Sequence, residues 1–488
     1  MIVKCCFTSL FIFFFLSNIS AQGKTEWKSI FEKINTEVLS HSQAYGSLQD
    51  ATQKIGHRLT GSENGKKAEQ YAYDLLKSYG IKDVKFQAFQ AESWSRGTIS
   101  VKIGSDKSSL QIIHAVTLAH SPVKADITAD IVDMGNGVEA DYIKDPNIAK
   151  GKIVLAYLGI LPNSTPGTKN LHRSEKTAIA TKYGAKGIIL INAAPGDILL
   201  TGTASVTGKL IPIPAVCIGN DAGLALKKVL KEHSQIASIQ MTNHSGTITA
   251  RNVIATFEGN KLPKEKIVVG GHLDSWDLAT GAIDNGIGSF AVMDMARTFQ
   301  QLRLHPERTV EFVLFMGEEE GLLGSRAYVT QAIKNKNIDQ IRYMLNYDMT
   351  NDPKSFSSST VDTKDLFQYI GKEIQTIDTT FRNNFKVEVG LHSDHEPFML
   401  EGIPTGGGAD AHLDKNVLDC YHADCDVFDL VDRKGQLNTV RFSTMLTYGL
   451  ADAVTIPTKR LSDEETKELL IKNNLEEPLK ISGDWRWK

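Results

Sequence analysis

The sequence predicts an α/β protein of more than one domain, and three observations carry that expectation. At 488 residues the chain exceeds one ordinary domain and fits two or three. Over residues 251–456, apolar runs of strand character alternate with helical patterns. Over residues 97–249 the texture changes to short β-type runs, which reads as a separate β-rich module. Hydrophobic content of 41% with 23% charged residues suits a soluble globular protein with a large core.

The N-terminus has the pattern of an export signal. After Lys4, the apolar run of residues 5–16 is shorter than the roughly 20 residues that a bilayer span needs. Ser17-Asn18-Ile19-Ser20-Ala21 supplies a small-residue cleavage region, so residues 1–21 read as a signal peptide and Gln22 as the first mature residue. The mature chain is then expected to be exported, periplasmic or secreted, with no membrane segment left after cleavage. Formal net charge is −3, and loss of Lys4 takes it to −4. Nothing in that balance marks a nucleic-acid or membrane-surface binder.

Residues 25–94 are helical in character. Thr60-Gly61-Ser62-Glu63 forms a turn before a helix over residues 66–78, whose apolar face is Ala68, Tyr71, Ala72, Leu75 and Leu76. Gly80 ends it, and a strand is expected over residues 84–89. In the β-rich module, strands are expected at 127–132, 151–156, 187–191 and 211–216, with a helix at 173–183. No acid, His or Cys cluster of ligand spacing appears there, so the module reads as a binding or lid unit. In the third region a strand over 266–272 ends in His272, one over 309–315 delivers Glu318 and Glu319, and one over 342–348 delivers Asp348. A helix over 286–304 shows Ile287, Ala291, Met295, Thr298 and Leu302 on one face. Ligands of open α/β sheets bind beyond the carboxyl ends of strands, where three of these motifs sit.

His272, Asp284, Glu319, Asp348 and His422 form a candidate ligand set for two zinc ions (Zn2+), with Glu318 beside them as a candidate base. Zinc takes imidazole nitrogen and carboxylate oxygen, and catalytic sites keep a position open for water. Two zincs can share one carboxylate, so one bridging Asp and two terminal ligands per metal make five. Each residue alone has a plainer reading. His272 could be structural, Asp284 could cap the following helix, and Glu318-Glu319-Glu320 could be a solvated charge cluster. Asp274 could orient the His272 ring by a hydrogen bond, as metal-bound histidines usually require. The joint occurrence of these residues at strand ends favours the metal reading.

Three cysteines follow the leader. Cys217, in an apolar run, reads as a buried strand residue. Cys420 and Cys425 flank His422, either as a short disulfide stiffening that loop or as two free thiols.

Gly270-Gly271-His272-Leu273-Asp274-Ser275-Trp276-Asp277 with Gly281-Ala282-Ile283-Asp284 resembles the zinc-binding segment of the plasma glutamate carboxypeptidase (carboxypeptidase Q) family, within the co-catalytic di-zinc aminopeptidases and glutamate carboxypeptidases. The likeness extends through residues 55–62 and 213–216. It implies a mixed-sheet zinc exopeptidase domain, residues 22–96 and 250–458, with a β-rich protease-associated domain inserted at 97–249 and a C-terminal tail at 459–488. It further implies that Asp284 bridges the metals, that His272 and Asp348 hold one zinc and Glu319 and His422 the other, that Glu318 is the general base, and that Asp274 orients His272. The third glutamate, Glu320, departs from the usual pair, although the spacing to Gly321 and Gly324 favours Glu318 and Glu319.

The activity implied is hydrolysis of dipeptides or short peptides, with an aminopeptidase on longer peptides as the alternative. A receptor-like binding protein without metals, or a one-zinc glutaminyl cyclase, fits less well. Residues 392–395 and 406–410 lie in loops that either line a substrate pocket or are solvated turns. Ser462-Asp463-Glu464-Glu465 is a capping-box pattern opening a terminal helix. That tail packs either on the body or on a second subunit of a homodimer. Asn163 and Asn243 open glycosylation sequons, meaningful only in a eukaryotic secretory pathway.

Overall fold

The computed structural model describes residues 24–488; the expected signal peptide lies outside the described residues. Twelve of the described strands join into one path of hydrogen-bonded neighbours, and Val84–Gly104 and Gln111–Ile113 pair beside it. At its centre the strands Ile341–Asn346, Leu262–His272 and Arg308–Phe315 run parallel, and Ile236–Phe257 pairs antiparallel with the last of them. Thr405–Ala409, Ser355–Ser358 and Lys386–Val387 extend the other edge. The body is therefore a mixed sheet. Arg308–Phe315 is buried at every position, as expected of a central strand covered on both faces.

A two-stranded ribbon links this sheet to the β-rich module. The strand expected over 84–89 continues to Gly104 and pairs with Ile236–Phe257 along its length, with one irregularity between Arg96 and Ile99. Alternation of buried and exposed residues along the ribbon, rather than a continuous apolar run, had hidden its length. Lys124–Asp133 pairs with the outer half of Ile236–Phe257 and leads into the parallel strands Ile153–Tyr157, Gly187–Ile191 and Ala215–Ile218. The last starts four residues after the expected 211, because Pro212 and Pro214 carry no N–H for a ladder. Cys217 lies in it, fully buried.

Two long helices cover one face of the body. Ile287–Leu302 is buried from Ile287 through Phe299, all round rather than on one face. Arg433–Asp452 packs against it and is buried over most of its length despite a polar sequence. Two of its hydroxyls find carbonyl partners: Thr444 Oγ1 donates to Val440 O at 2.6 Å and Thr439 Oγ1 to Thr350 O at 3.1 Å. Helices Lys24–His41, Ala44–Lys54 and Glu63–Ser78 add to the same core through Phe31, Leu48 and Leu76. Ser62 caps the third by accepting from Gly65 N.

The C-terminal tail packs on its own chain. Ser462 and Glu465 form the capping box, and Leu470 and Leu479 bury against Met399 and Leu400. Arg326 pairs with Asp484 at 2.7 Å and Arg486 with Glu401 at 2.6 Å. No described helix is long and apolar enough to cross a membrane. Of the two sequon asparagines, Asn163 is exposed, whereas Asn243 is buried and donates to Pro122 O at 2.8 Å.

Candidate metal centre

Three parallel strands end at one edge, and their following loops converge. His272, the last residue of its strand, is buried, with Nδ1 3.1 Å from the Asp274 carbonyl oxygen. That acceptor fixes the proton on Nδ1 and leaves Nε2 free to bind a cation. Nε2 faces Asp284 Oδ1 at 3.2 Å and Asp348 Oδ1 at 3.3 Å. On the other side, His422 Nε2 lies 3.0 Å from both Asp284 Oδ2 and Glu319 Oε2. The five sequence-predicted ligands therefore form two clusters, each with one imidazole nitrogen and two carboxylate oxygens, and Asp284 gives one oxygen to each.

This donor set fits zinc. Nitrogen with carboxylate oxygen is zinc chemistry, and a shared carboxylate is what a metal pair requires. Glu319 Oε1 is buried without a hydrogen-bond partner, an atom that a cation would satisfy. Nearest donor atoms of His272, Asp284 and Glu319 all lie within 4.8 Å of one another.

Charge and burial set the electrostatics. Burial alone would raise the Asp284 carboxyl, but hydrogen bonds from His272 and His422 hold it below its usual range. Burial pushes Glu318 well above the usual carboxylate range, with Glu319 and Asp348 adding to the effect and His272 opposing it. Carboxylates so crowded favour either protons or cations.

Supporting residues explain the convergence. The Asp274 carboxylate accepts the backbone N–H groups of Glu318 at 3.2 Å and Glu319 at 3.3 Å, while its own distance to His272 Nδ1 is 3.7 Å. Its closest role is thus to hold the Glu318 loop, and its backbone carbonyl meets the histidine. Asp426 accepts from Ile283 N at 2.7 Å and Asp284 N at 3.0 Å. Arg58, in the segment quoted for the family resemblance, donates to Leu273 O, Thr280 O and Gly281 O. Asn285 Nδ2 donates to Tyr347 O, and Asn285 Oδ1 accepts from Met349 N, tying the Asp284 turn to the Asp348 loop. Ser393 donates to Asp348 Oδ2 at 2.7 Å. Asp426 and Ser393 carry no ligand spacing of their own and are brought here by the fold, whereas Asn285 follows Asp284 directly in the chain. Residues 406–408 instead lie in the Thr405–Ala409 strand, where a Cβ at Gly407 would come 2.5 Å from Asn346 O.

His422 sits in a loop closed by the Cys420–Cys425 disulfide, with φ of +54°. The β-rich module touches this loop directly. Thr201 N donates to His422 O at 2.8 Å, and Leu200 bridges antiparallel to Ala423. Arg173, from the module's helix Arg173–Lys182, lies with Nη2 2.9 Å from His422 Nδ1. Sequence reasoning missed Arg173 because a lone arginine opening a helix carries no pattern. A cavity of about 650 Å³ opens over the site, lined by Asp284, Glu318, Glu319, Asp348 and His422, with Arg173 on the module side and Ile481 of the tail opposite.

Residues 252–446 match the model of Peptidase family M28, and residues 124–226 match the PA domain. The chain is similar to Carboxypeptidase Q of Xenopus laevis, at 28% identity over 68% of this chain and 72% of that one. It is equally similar, at 28%, to Aminopeptidase YwaD of Bacillus subtilis, over 74% and 73%. Among solved structures, a Peptidase M28 precursor from Shewanella amazonensis superposes with a TM-score of 0.75 at 22% identity, over 90% of this chain and 99% of that one. An aminopeptidase from Aneurinibacillus sp. strain AM-1 gives a TM-score of 0.63 at 26% identity, over 88% and 97%.

Proposed function

We propose that this metallopeptidase, whose residues 252–446 match Peptidase family M28 and residues 124–226 the PA domain, is an exported di-zinc exopeptidase acting on dipeptides or short peptides. In this reading residues 22–96 and 250–458 form the peptidase body, residues 97–249 the PA domain, and residues 1–21 the cleaved signal. The observation that carries it is Asp284, whose two carboxylate oxygens face His272 with Asp348 on one side and His422 with Glu319 on the other.

His272 and Asp348 would hold one zinc, Glu319 and His422 the other, and Asp284 both. Bound there, the metals would supply a Lewis acid for the scissile carbonyl and a lowered pKa for the attacking water. Glu318 lines the cavity without belonging to either cluster, which suits a base. It takes the proton of the attacking water and returns it to the departing amine. Asp274 holds Glu318 and Glu319 in place through their backbone amides. Arg173, Thr203 and Val206 of the inserted module and Ile481 of the tail line the cavity over the site, which favours small substrates over folded chains. Aminopeptidase action on longer peptides is the second reading, favoured by the resemblance to proteins named as aminopeptidases.

The test is hydrolysis by the purified chain, supplied with zinc, of a dipeptide panel with each terminus free or blocked. Cleavage confined to peptides with both ends free supports the dipeptidase. Turnover of peptides blocked at the C-terminus supports the aminopeptidase, and cleavage of doubly blocked peptides contradicts both.

A further inference from the structure

We propose that Arg96 is a positioning residue: it fixes the inserted module against the metal loops and so holds His422 where a cation can be bound. This rests on the two-zinc reading above. The module is reached through the paired strands Val84–Gly104 and Ile236–Phe257, whose register shifts between Arg96 and Ile99. Such an irregularity lets a strand pair bend. The angle of the module to the body is therefore set by whatever bridges the two at this point.

One guanidinium bridges them. On the body, Arg96 Nε donates to Asp277 Oδ2 at 3.0 Å and Nη2 to Asp277 Oδ1 at 2.8 Å, a forked pair. Asp277 lies five residues after His272. On the module, Nη2 donates to Thr201 Oγ1 at 2.8 Å and Nη1 to Thr117 O. The ion-paired side chains are 12% and 15% exposed, so solvent and salt screen them little. Burial would raise the Asp277 carboxyl, yet Arg96 keeps it below its usual range.

Thr201 carries the restraint on to the ligand loop. Its backbone N–H donates to His422 O at 2.8 Å, and its neighbour Leu200 bridges to Ala423. His422 depends on such support because it lies on a turn, with φ of +54°, whereas His272 ends a central strand. Trp276, beside Asp277, meets the His422 ring edge-on with centroids 6.0 Å apart, and packs with Leu59, Trp94 and Ala119. The path Asp277–Arg96–Thr201–His422 thus joins the two metal loops through the module. Arg96 itself does not line the cavity over the site, so it acts through these residues.

The experiment measures the stepwise zinc affinity of the full chain by chelator competition, with backbone hydrogen exchange of the chain as purified. Arg96→Met should weaken one zinc by about 10- to 100-fold, as loss of a partner behind a ligand does, and change the other by less than about threefold. His422→Ala should abolish the same step, and adding Arg96→Met to it should leave the remaining zinc unchanged. Arg96→Lys keeps the charge without the planar fork and should recover part of the affinity. In Arg96→Met, exchange at residues 200–201 and 420–425 should quicken while the module strand Gly187–Ile191 keeps its protection, a pattern that general loss of module stability would not give. Thr201→Val leaves the Asp277 pair intact and should weaken the same zinc by a smaller factor.

Equal weakening of both zincs by Arg96→Met, or two unchanged affinities, would overturn the proposal. So would exchange at residues 420–425 that stays the same or rises together with that of Gly187–Ile191. If Arg96→Met does not fold, Thr201→Val carries the test, and wild-type affinity for both zincs would overturn the role. A wild-type chain that takes up fewer than two zincs contradicts the two-metal reading instead. Exchange then decides the role of Arg96 by itself: quickening at residues 200–201 and 420–425 alone supports it, and no change overturns it.

Discussion

Asp426 accepts the backbone N–H of Asp284 at 3.0 Å, so the carboxylate that faces both histidines is aimed by a second carboxylate 142 residues further along the chain. Ile283 N donates to the other oxygen of Asp426 at 2.7 Å, which fixes two consecutive peptide units. Burial pushes the Asp426 carboxyl up to about 7, against the pull of those two amides. Asp426→Asn replaces one acceptor by an NH2 that meets an N–H. We expect it to weaken zinc binding by about 10- to 100-fold, as loss of a partner behind a metal ligand usually does. A chelator competition titration measures this, and unchanged affinity would remove Asp426 from the support of the site.

Glu318→Gln keeps the size of the side chain and removes its ability to accept a proton. Turnover should fall by about 100- to 10,000-fold while zinc content stays at the wild-type level. Loss of zinc would instead make Glu318 a ligand and shift the register of the glutamate run.

The Cys420–Cys425 disulfide closes the loop that carries His422. Replacing both cysteines by serine should lower stability by about 2 kcal/mol, the chain-entropy expectation for so short a loop. Zinc affinity should fall with it, because His422 loses its tether. Thiol labelling provides an independent check. Burial pushes the Cys217 thiol up to about 12, so the native mature chain should label nowhere at pH 8, and the denatured, unreduced chain once.

Burial lowers the His120 imidazole to about 4. Since its unfolded value is near 6.5, the neutral ring is native throughout the window between, while the unfolded chain takes up a proton. Stability is therefore full above about pH 6.5 and falls as pH drops toward 4, by about 3 kcal/mol from this group. His120 has φ of +65°, a conformation that Asn tolerates. His120→Asn should flatten the acid limb of a denaturation series over that window. A limb unchanged in slope would assign the acid sensitivity to other groups.

Much of the site could be read from the sequence because its ligands follow strand ends. An apolar run of period two or none, closed by His272 or by Glu318 and Glu319, gives both the element and the direction in which the side chain is delivered. Asp284 and His422 lie on turns and were legible only through their place in the ordered set and the likeness to a family. Asp426, Asn285 and Ser393 act through backbone amides or a ligand's second oxygen, contacts that no spacing encodes. The helix Arg433–Asp452 was hidden for a related reason: it is buried over most of its length although polar, with Thr439 and Arg441 meeting partners supplied by the fold, so composition misstated its burial. Arg173 shows the same limit across domains, since its module looked free of chemistry until the fold set it 2.9 Å from His422.

The most direct measurement is the zinc stoichiometry of the purified chain and of its Asp284→Asn variant, by elemental analysis with protein quantified in the same sample. A carboxylate shared between two clusters predicts two zinc ions per chain in wild type and loss of both on the substitution. One zinc per chain in wild type, or an Asp284→Asn variant that retains the full pair, would contradict the shared site.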